Sequence, residues 1–131
     1  PNLLVDGVAD AIRASDALKL YVCNVMTQEG ETEGYTVSDH IQALFKHSYP
    51  GLFGLCLTNS MPIPEPIARR YAREGAAPIV RDTERCRQLG VELIDRPVAS
   101  LENGLVRHNP GHLAHELMTI YEEYTQTENR E

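Results

Sequence analysis

Hydrophobic and polar positions along this chain switch repeatedly between a helical period and short apolar runs. Leu4, Val5, Val8 and Ile12 recur at helical spacing, and Ser15-Asp16 closes that segment. Leu18-Lys-Leu-Tyr-Val-Cys-Asn-Val25 is a near-continuous run rich in β formers. Such runs suit a parallel strand covered on both faces. From Met26 to Tyr35 the chain is polar and carries two glycines. Thr36, followed three residues later by Asp39, then predicts a capped helix with Val37, Ile41, Leu44 and Phe45 on its apolar face.

The pattern continues in the same manner. Leu52–Leu57 predicts a second strand, interrupted by Gly54, and Ser60–Pro66 is a proline-stiffened connection. A helix is expected to begin near Pro64 or Pro66, run to Glu74 and stop at Gly75. Ala77–Val80 reads as a short strand, Asp82 as the cap of a helix ending before Gly90, and Val91–Ile94 as another strand. Leu105-Val106 is a short last strand. Asn109-Pro110 opens a final helix through Leu113, Leu117, Ile120, Tyr121 and Tyr124, and the polar tail 125–131 is expected to fray. Strands alternating with helices imply an α/β fold: a three-layer, Rossmann-like, mostly parallel sheet flanked by helices. Ligands of such sheets lie beyond the carboxyl ends of the strands, which selects the loops after Val25, Asn59, Val80 and Val106.

Composition narrows the picture. At 131 residues, with 42% hydrophobic and 24% charged, the chain is expected to form a single domain over 1–131. A net charge of −7 argues against a nucleic-acid partner. Six of the twelve basic residues crowd between Arg69 and Arg87, where Glu65, Glu74, Asp82 and Glu84 balance them as solvated helix faces. Three cysteines are an odd number for a disulfide framework: Cys23 and Cys56 sit in apolar runs, Cys86 in a polar helical stretch. A reducing compartment, the cytoplasm, is the expectation. No apolar run reaches a membrane span, and the opening Pro1-Asn2-Leu3-Leu4 lacks the basic region of a secretory signal. A start without Met reads as an excerpt from a longer protein.

Candidate chemistry concentrates after the first strand. In the segment Asn24–His40, Thr27, Thr32, Thr36 and Ser38 offer hydroxyls, and the helix start offers backbone N–H groups with positive dipole character. Glu29, Glu31 and Glu33 crowd the same loop, so a bare diphosphate needs compensation from a cation or a distant arginine; hydroxyl and amide recognition, or help from magnesium, suits it better. Asp39 is explained as partner to Thr36, and His40 as a packed or ligand-contacting histidine. Tyr71 shares a helix face with Ile67, as a core tyrosine or as an aromatic surface for a base. Arg107, beside the final helix start, is either a bidentate phosphate clamp or a surface arginine paired with an acid such as Glu102. His108, His112 and His115 lack the further ligands a metal site needs. No nucleophile elbow, P-loop or dinucleotide fingerprint is present, so no catalytic residue is assigned.

The run Tyr21-Val-Cys-Asn-Val-Met-Thr-Gln-Glu-Gly-Glu-Thr-Glu-Gly-Tyr-Thr-Val-Ser-Asp-His40 closely resembles the bacterial gluconeogenesis factor (YvcK) family of the CofD-like superfamily. Pro1-Asn-Leu-Leu-Val5 and Leu105-Val-Arg-His-Asn109 are similar to it too, while Leu52–Pro66 and the tail match weakly. Members are longer, so the chain resembles the C-terminal part of a larger CofD-like, nucleotide-binding domain, with an N-terminal half as its expected partner and self-association expected from the surface that half would cover. The resemblance implies a regulatory protein that binds nucleotide-sugars such as UDP-N-acetylglucosamine. Such proteins act in carbon flux, cell-wall synthesis and cell shape, without established turnover. It also implies that Tyr71 and Arg107 hold the nucleotide-sugar, with Asn24 and Thr27 beside them and Thr32, Tyr35, Thr36, Asp39 and His40 supporting the loop and helix start. The other branch of the superfamily resembles 2-phospho-L-lactate transferases of deazaflavin coenzyme synthesis, which makes a phospho-group transferase the alternative.

Overall fold

The computed structural model describes residues 7–129. Five helices and five strands follow one another as α1 (Val8–Ala14), β1 (Leu20–Val22), α2 (Val37–Lys46), β2 (Leu55–Asn59), α3 (Glu65–Arg73), α4 (Thr83–Gln88), β3 (Glu92–Arg96), β4 (Ala99–Glu102), β5 (Leu105–His108) and α5 (Pro110–Asn129). Strands β1, β2 and β3 form a parallel sheet in that order, with Leu20 opposite Leu55 and Leu55 opposite Glu92. Of the first predicted helix, Leu4 and Val5 lie outside the described residues.

Alternation along β2 sorts the core into two layers. Cys56 faces α2 and α4, joining Cys23, Val37, Ile41, Phe45, Cys86 and Val91. Leu55 and Leu57 face the other side, packing with Ile94, Val98 and Ile120, against which Leu113, Leu117 and Tyr124 of α5 lie. A sheet with both faces covered explains why β2 reads as a continuous apolar run. The three-layer α/β architecture is therefore the one the sequence predicts. Arg96 at the end of β3 ties α5 down through Glu116 at 3.1 Å and Glu123 at 3.7 Å. All three cysteines are free and buried, Cys86 included, although its helix is otherwise polar.

Several expectations are corrected. Ala77–Val80 is not a strand; it is sewn to the loop after β1 by a single bridge between Met26 and Pro78, with Thr27 N donating to Ala77 O at 2.8 Å and Ile79 N to Val25 O at 3.0 Å. Pro78 has no N–H to continue a ladder. Leu105-Val106 does begin a strand, but β5 pairs antiparallel with β4 in a separate hairpin, away from the parallel sheet. Its two-residue turn is Asn103 at φ 52° and Gly104 at φ 74°, the conformation that Asn-Gly favours because both residues tolerate positive φ. In α5, Tyr121 points outward, half exposed, and the helix extends to Asn129, while residues 130–131 of the tail lie outside the described residues.

Candidate functional site

The loop leaving β1 folds back on itself before α2. Gln28 N donates to Thr32 Oγ1 at 2.8 Å and Thr32 N to Gln28 O at 2.9 Å, closing a turn. Thr27 is buried and holds the chain at both ends: its N–H donates to Ala77 O, and its Oγ1 accepts from Ala77 N at 3.0 Å. Thr27 thus fixes the floor on which the rest of the site stands.

Helix α2 starts on a full capping box. Thr36 Oγ1 accepts from Asp39 N at 3.3 Å, and Asp39 Oδ2 accepts from Thr36 N at 2.9 Å. Val37 N donates to Val80 O at 3.0 Å, Ser38 N to Asp82 Oδ1 at 2.9 Å, and His40 N to Thr36 O at 3.2 Å. Every N–H of the first turn is therefore occupied from within the chain. This corrects the expectation that the turn offers free donors to a phosphate, because Asp82 already supplies an anion there. Asp82 was expected to cap its own helix; its side chain makes no such bond and serves α2 instead, also accepting from Ser38 Oγ. Burial pushes the Asp82 carboxyl up, but the hydrogen bonds from Ser38 and Thr36 outweigh it and hold the group below the ordinary carboxylate value.

His40 is buried, its Nδ1 donates to Thr36 O at 2.9 Å, and the Tyr35 ring meets it edge-on at 5.3 Å. Thr32, Tyr35, Thr36, Asp39 and His40 thus build the turn and helix start, and none of them lines the cleft described next.

That cleft, about 280 Å³, is walled by Asn24, Thr27 and Gln28 from the loop after β1, Tyr71 from α3, and Arg107 and His108 from β5. Asn24, Thr27, Tyr71 and Arg107, which the family resemblance groups together, all line it. Tyr71 is half-buried, and its hydroxyl accepts from Val106 N at 2.9 Å, which docks the hairpin on α3 beside Arg107. One residue earlier, the Arg70 guanidinium lies so close to Gly104 that an added Cβ would sit 2.7 Å from its nitrogen. Arg107 is exposed and, among the described residues, has no carboxylate within ion-pair distance; the expected alternative pairing with Glu102 does not form. His108 also lines the cleft, and its buried Nε2 has no hydrogen-bond partner among the described residues. Among the described residues no group of three or more His, Cys, Asp or Glu side chains is placed to hold a metal ion.

A residue that the sequence marks only as the end of a strand anchors this arrangement. Asn59, at the carboxyl end of β2, accepts through Oδ1 from Met61 N at 3.0 Å, Val98 N at 3.3 Å and Ala99 N at 3.1 Å, while its Nδ2 donates to Met61 O at 2.9 Å. One amide thereby joins the central strand, the proline-rich connection and the root of the hairpin that carries Arg107. A second cleft of about 340 Å³ opens beside it, over the carboxyl ends of β1 and β2, and shares Asn24 and Val25 with the first.

A parallel sheet with its clefts beyond the strand ends is the architecture of a CofD-like α/β protein, and the model of that family, described as 2-phospho-L-lactate transferase CofD, matches residues 1–99. Relatives named gluconeogenesis factor include one from Halalkalibacterium halodurans, 43% identical over 83% of this chain and 34% of its own length. Another, from Bacillus subtilis, is 38% identical over 94% of this chain and 39% of its own. A crystal structure of a Bacillus halodurans protein superposes with a TM-score of 0.85 at 40% identity, covering 90% of this chain and 38% of that one. A second structure, of a UPF0052 family member from Bacillus halodurans, gives 0.79 at 43% identity over 83% of this chain and 35% of that one. The chain belongs to the gluconeogenesis factor family and spans little more than a third of the length of these relatives. No helix of the described residues is long and apolar enough to cross a membrane.

Proposed function

We propose that the cleft between the loop after β1, α3 and the β4–β5 hairpin is the phosphate-holding part of a nucleotide-sugar site, and that the full-length protein is a regulator that senses UDP-sugars. The observation that carries this reading is the convergence on one cleft of Asn24, Thr27, Tyr71 and Arg107, the last without a carboxylate partner among the described residues. A guanidinium without a carboxylate partner is poised for a bidentate phosphate contact. It supplies the cation that the acidic loop lacks. In this reading the ligand state is relayed to carbon metabolism, cell-wall synthesis and cell shape in the cytoplasm. The outer edge of β1, which no strand of the described residues covers, then takes up sheet from the N-terminal half, and a magnesium ion arrives with the diphosphate. The test is calorimetry of the full-length protein with UDP-N-acetylglucosamine: saturable binding supports the proposal, and no binding ends it.

A transferase reading is favoured by one observation, the description of the matching family model. Incubating the full-length protein with a phospholactyl nucleotide and a deazaflavin acceptor separates the two, since product formation would replace the regulatory reading.

A further inference from the structure

All three cysteines are free, and all three pack in the core layer that faces α2 and α4. Their surroundings differ. Burial and the Asp82 carboxylate, to which Cys86 Sγ donates at 3.8 Å, push the Cys86 thiol up to about 12. Cys56, wholly buried on the central strand, gives its S–H to Cys23, and that bond together with burial raises it. Neither of these two lines either of the clefts beyond the strand ends.

Cys23, directly after β1, is the exception. It is only 2% exposed, yet it lines the cleft of about 340 Å³ over the carboxyl ends of β1 and β2. A cleft of that size admits a molecule little larger than water. Three donors converge on the Cys23 sulfur: the Cys56 S–H foremost, then the Tyr21 hydroxyl and the Asn24 N–H. Against the penalty of burial and the charge of Asp82, they hold the thiol below its ordinary value. The thiolate is the form of cysteine that attacks oxidants. The thiol whose ionised form is best supported is therefore also the one that a cleft reaches.

We propose that Cys23 is a modification site for hydrogen peroxide, which enters by the cleft that Asn24, Pro62 and Arg81 also line and converts the thiol to a sulfenic acid. The Cys23 sulfur, its proton released, attacks one peroxide oxygen; the S–O bond forms as the O–O bond breaks. Hydroxide leaves and takes up the released proton as water, so sulfur gives an electron pair to the peroxide. Cys56 pairs in register with Tyr21, two residues short of Cys23. With strands about 4.8 Å apart and a rise of about 3.3 Å per residue, the two cysteine Cα atoms stand roughly 8 Å apart. That exceeds the reach of a disulfide, about 6.8 Å, so the product stays a sulfenic acid, which thiol reductants reverse.

The experiment exposes the full-length protein to hydrogen peroxide, quenches it with catalase and unfolds it in dimedone, which traps sulfenic acids. Peptide mass spectrometry then follows each cysteine separately. Cys23 is expected to be trapped roughly tenfold faster, or more, than Cys56 or Cys86. The pH profile of trapping reads the Cys23 thiolate against the titratable groups around it, Cys56, Tyr21, Asp82 and Cys86. In Cys56→Ala that profile is expected to move to higher pH, and in Cys56→Ser, which keeps a donor, to return. Equal trapping of the three cysteines, trapping led by Cys86, or none at Cys23 overturns the proposal, and so does an unmoved profile in Cys56→Ala. The comparison among the three thiols uses the unmodified protein, so it decides the matter whether or not a variant folds.

Discussion

The Tyr71 hydroxyl accepts a hydrogen bond from the Val106 backbone N–H at 2.9 Å, across 35 residues of sequence. Through that bond α3 sets the height of β5, and with it the position of the neighbouring Arg107. Tyr71 therefore acts on the cleft twice, as a wall and as a fastener. Tyr71→Phe keeps the ring and removes the fastener. It is expected to cost about 1 kcal/mol of stability, and to weaken UDP-sugar binding less than Tyr71→Ala does. Thermal melts and calorimetry on the same preparations check both halves.

Arg107→Ala is expected to weaken UDP-sugar binding by roughly 1.5–3 kcal/mol, the worth of a charged hydrogen bond, while leaving the melting temperature of the unliganded protein unchanged. Arg107→Lys restores charge without the planar fork, so a partial recovery is expected. Unaltered affinity in the alanine variant would remove Arg107 from the site.

Asn59→Ala removes the partner of four backbone groups at once. A loss on the order of 3 kcal/mol is expected in chemical denaturation, because the N–H groups it satisfied are left without a replacement. A loss below about 0.5 kcal/mol, the size of an ordinary surface change, would show that water or a neighbour takes over the role.

The Asp82–Ser38 pair predicts an acid transition. The folded carboxyl is held below its ordinary value, so its stabilising effect is complete above the unfolded value near 3.9 and is lost as pH falls through the folded one. Ser38→Ala is expected to cost about 1.5–3 kcal/mol at neutral pH and to flatten the fall in stability on acidification. Denaturant melts of both proteins between neutral and strongly acidic pH measure the difference. Parallel curves would refute it.

Gly104→Ala tests the hairpin turn. At φ 74° an L side chain is strained, and the added Cβ would meet the Arg70 guanidinium. A penalty of about 1–3 kcal/mol is expected, with part of it relieved if Arg70 is shortened in the same protein.

How far the chain disclosed this arrangement depended on how local each feature is. The Thr36–Asp39 box was legible because its donors and acceptors lie within four residues. The apolar runs around Tyr21 and Cys56 mark β1 and the central strand β2, and in β2 burial on both faces leaves a continuous signature. Strand β4 was missed although Asn103-Gly104 is the strongest short-range hairpin signal, because Ala99-Ser-Leu-Glu102 carries too weak an alternation to declare itself. Ala77–Val80 misled in the opposite sense: an apolar run that pairs through one bridge around a proline is not a strand. Asp82 looked like the cap of the nearer helix, and only the tertiary fold turned it toward Ser38. Asn59 carried no motif at all; its role arises from segments almost 40 residues away. Tyr71 and Arg107 stood out by resemblance and by residue type, and no spacing rule could bring them together.

The hairpin's few attachments have a kinetic corollary. Beyond its own ladder, which the bond from Asn109 N to Val98 O prolongs, the β4–β5 ribbon is hydrogen-bonded to the body, among the described residues, through the Asn59 amide and the Tyr71 hydroxyl. A unit held at so few points can lift as a piece while the parallel strands stay shut. Amide protons of residues 100–107 should therefore exchange with solvent ahead of those of Leu55–Leu57, and a bound ligand bridging Asn24 and Arg107 should slow them selectively.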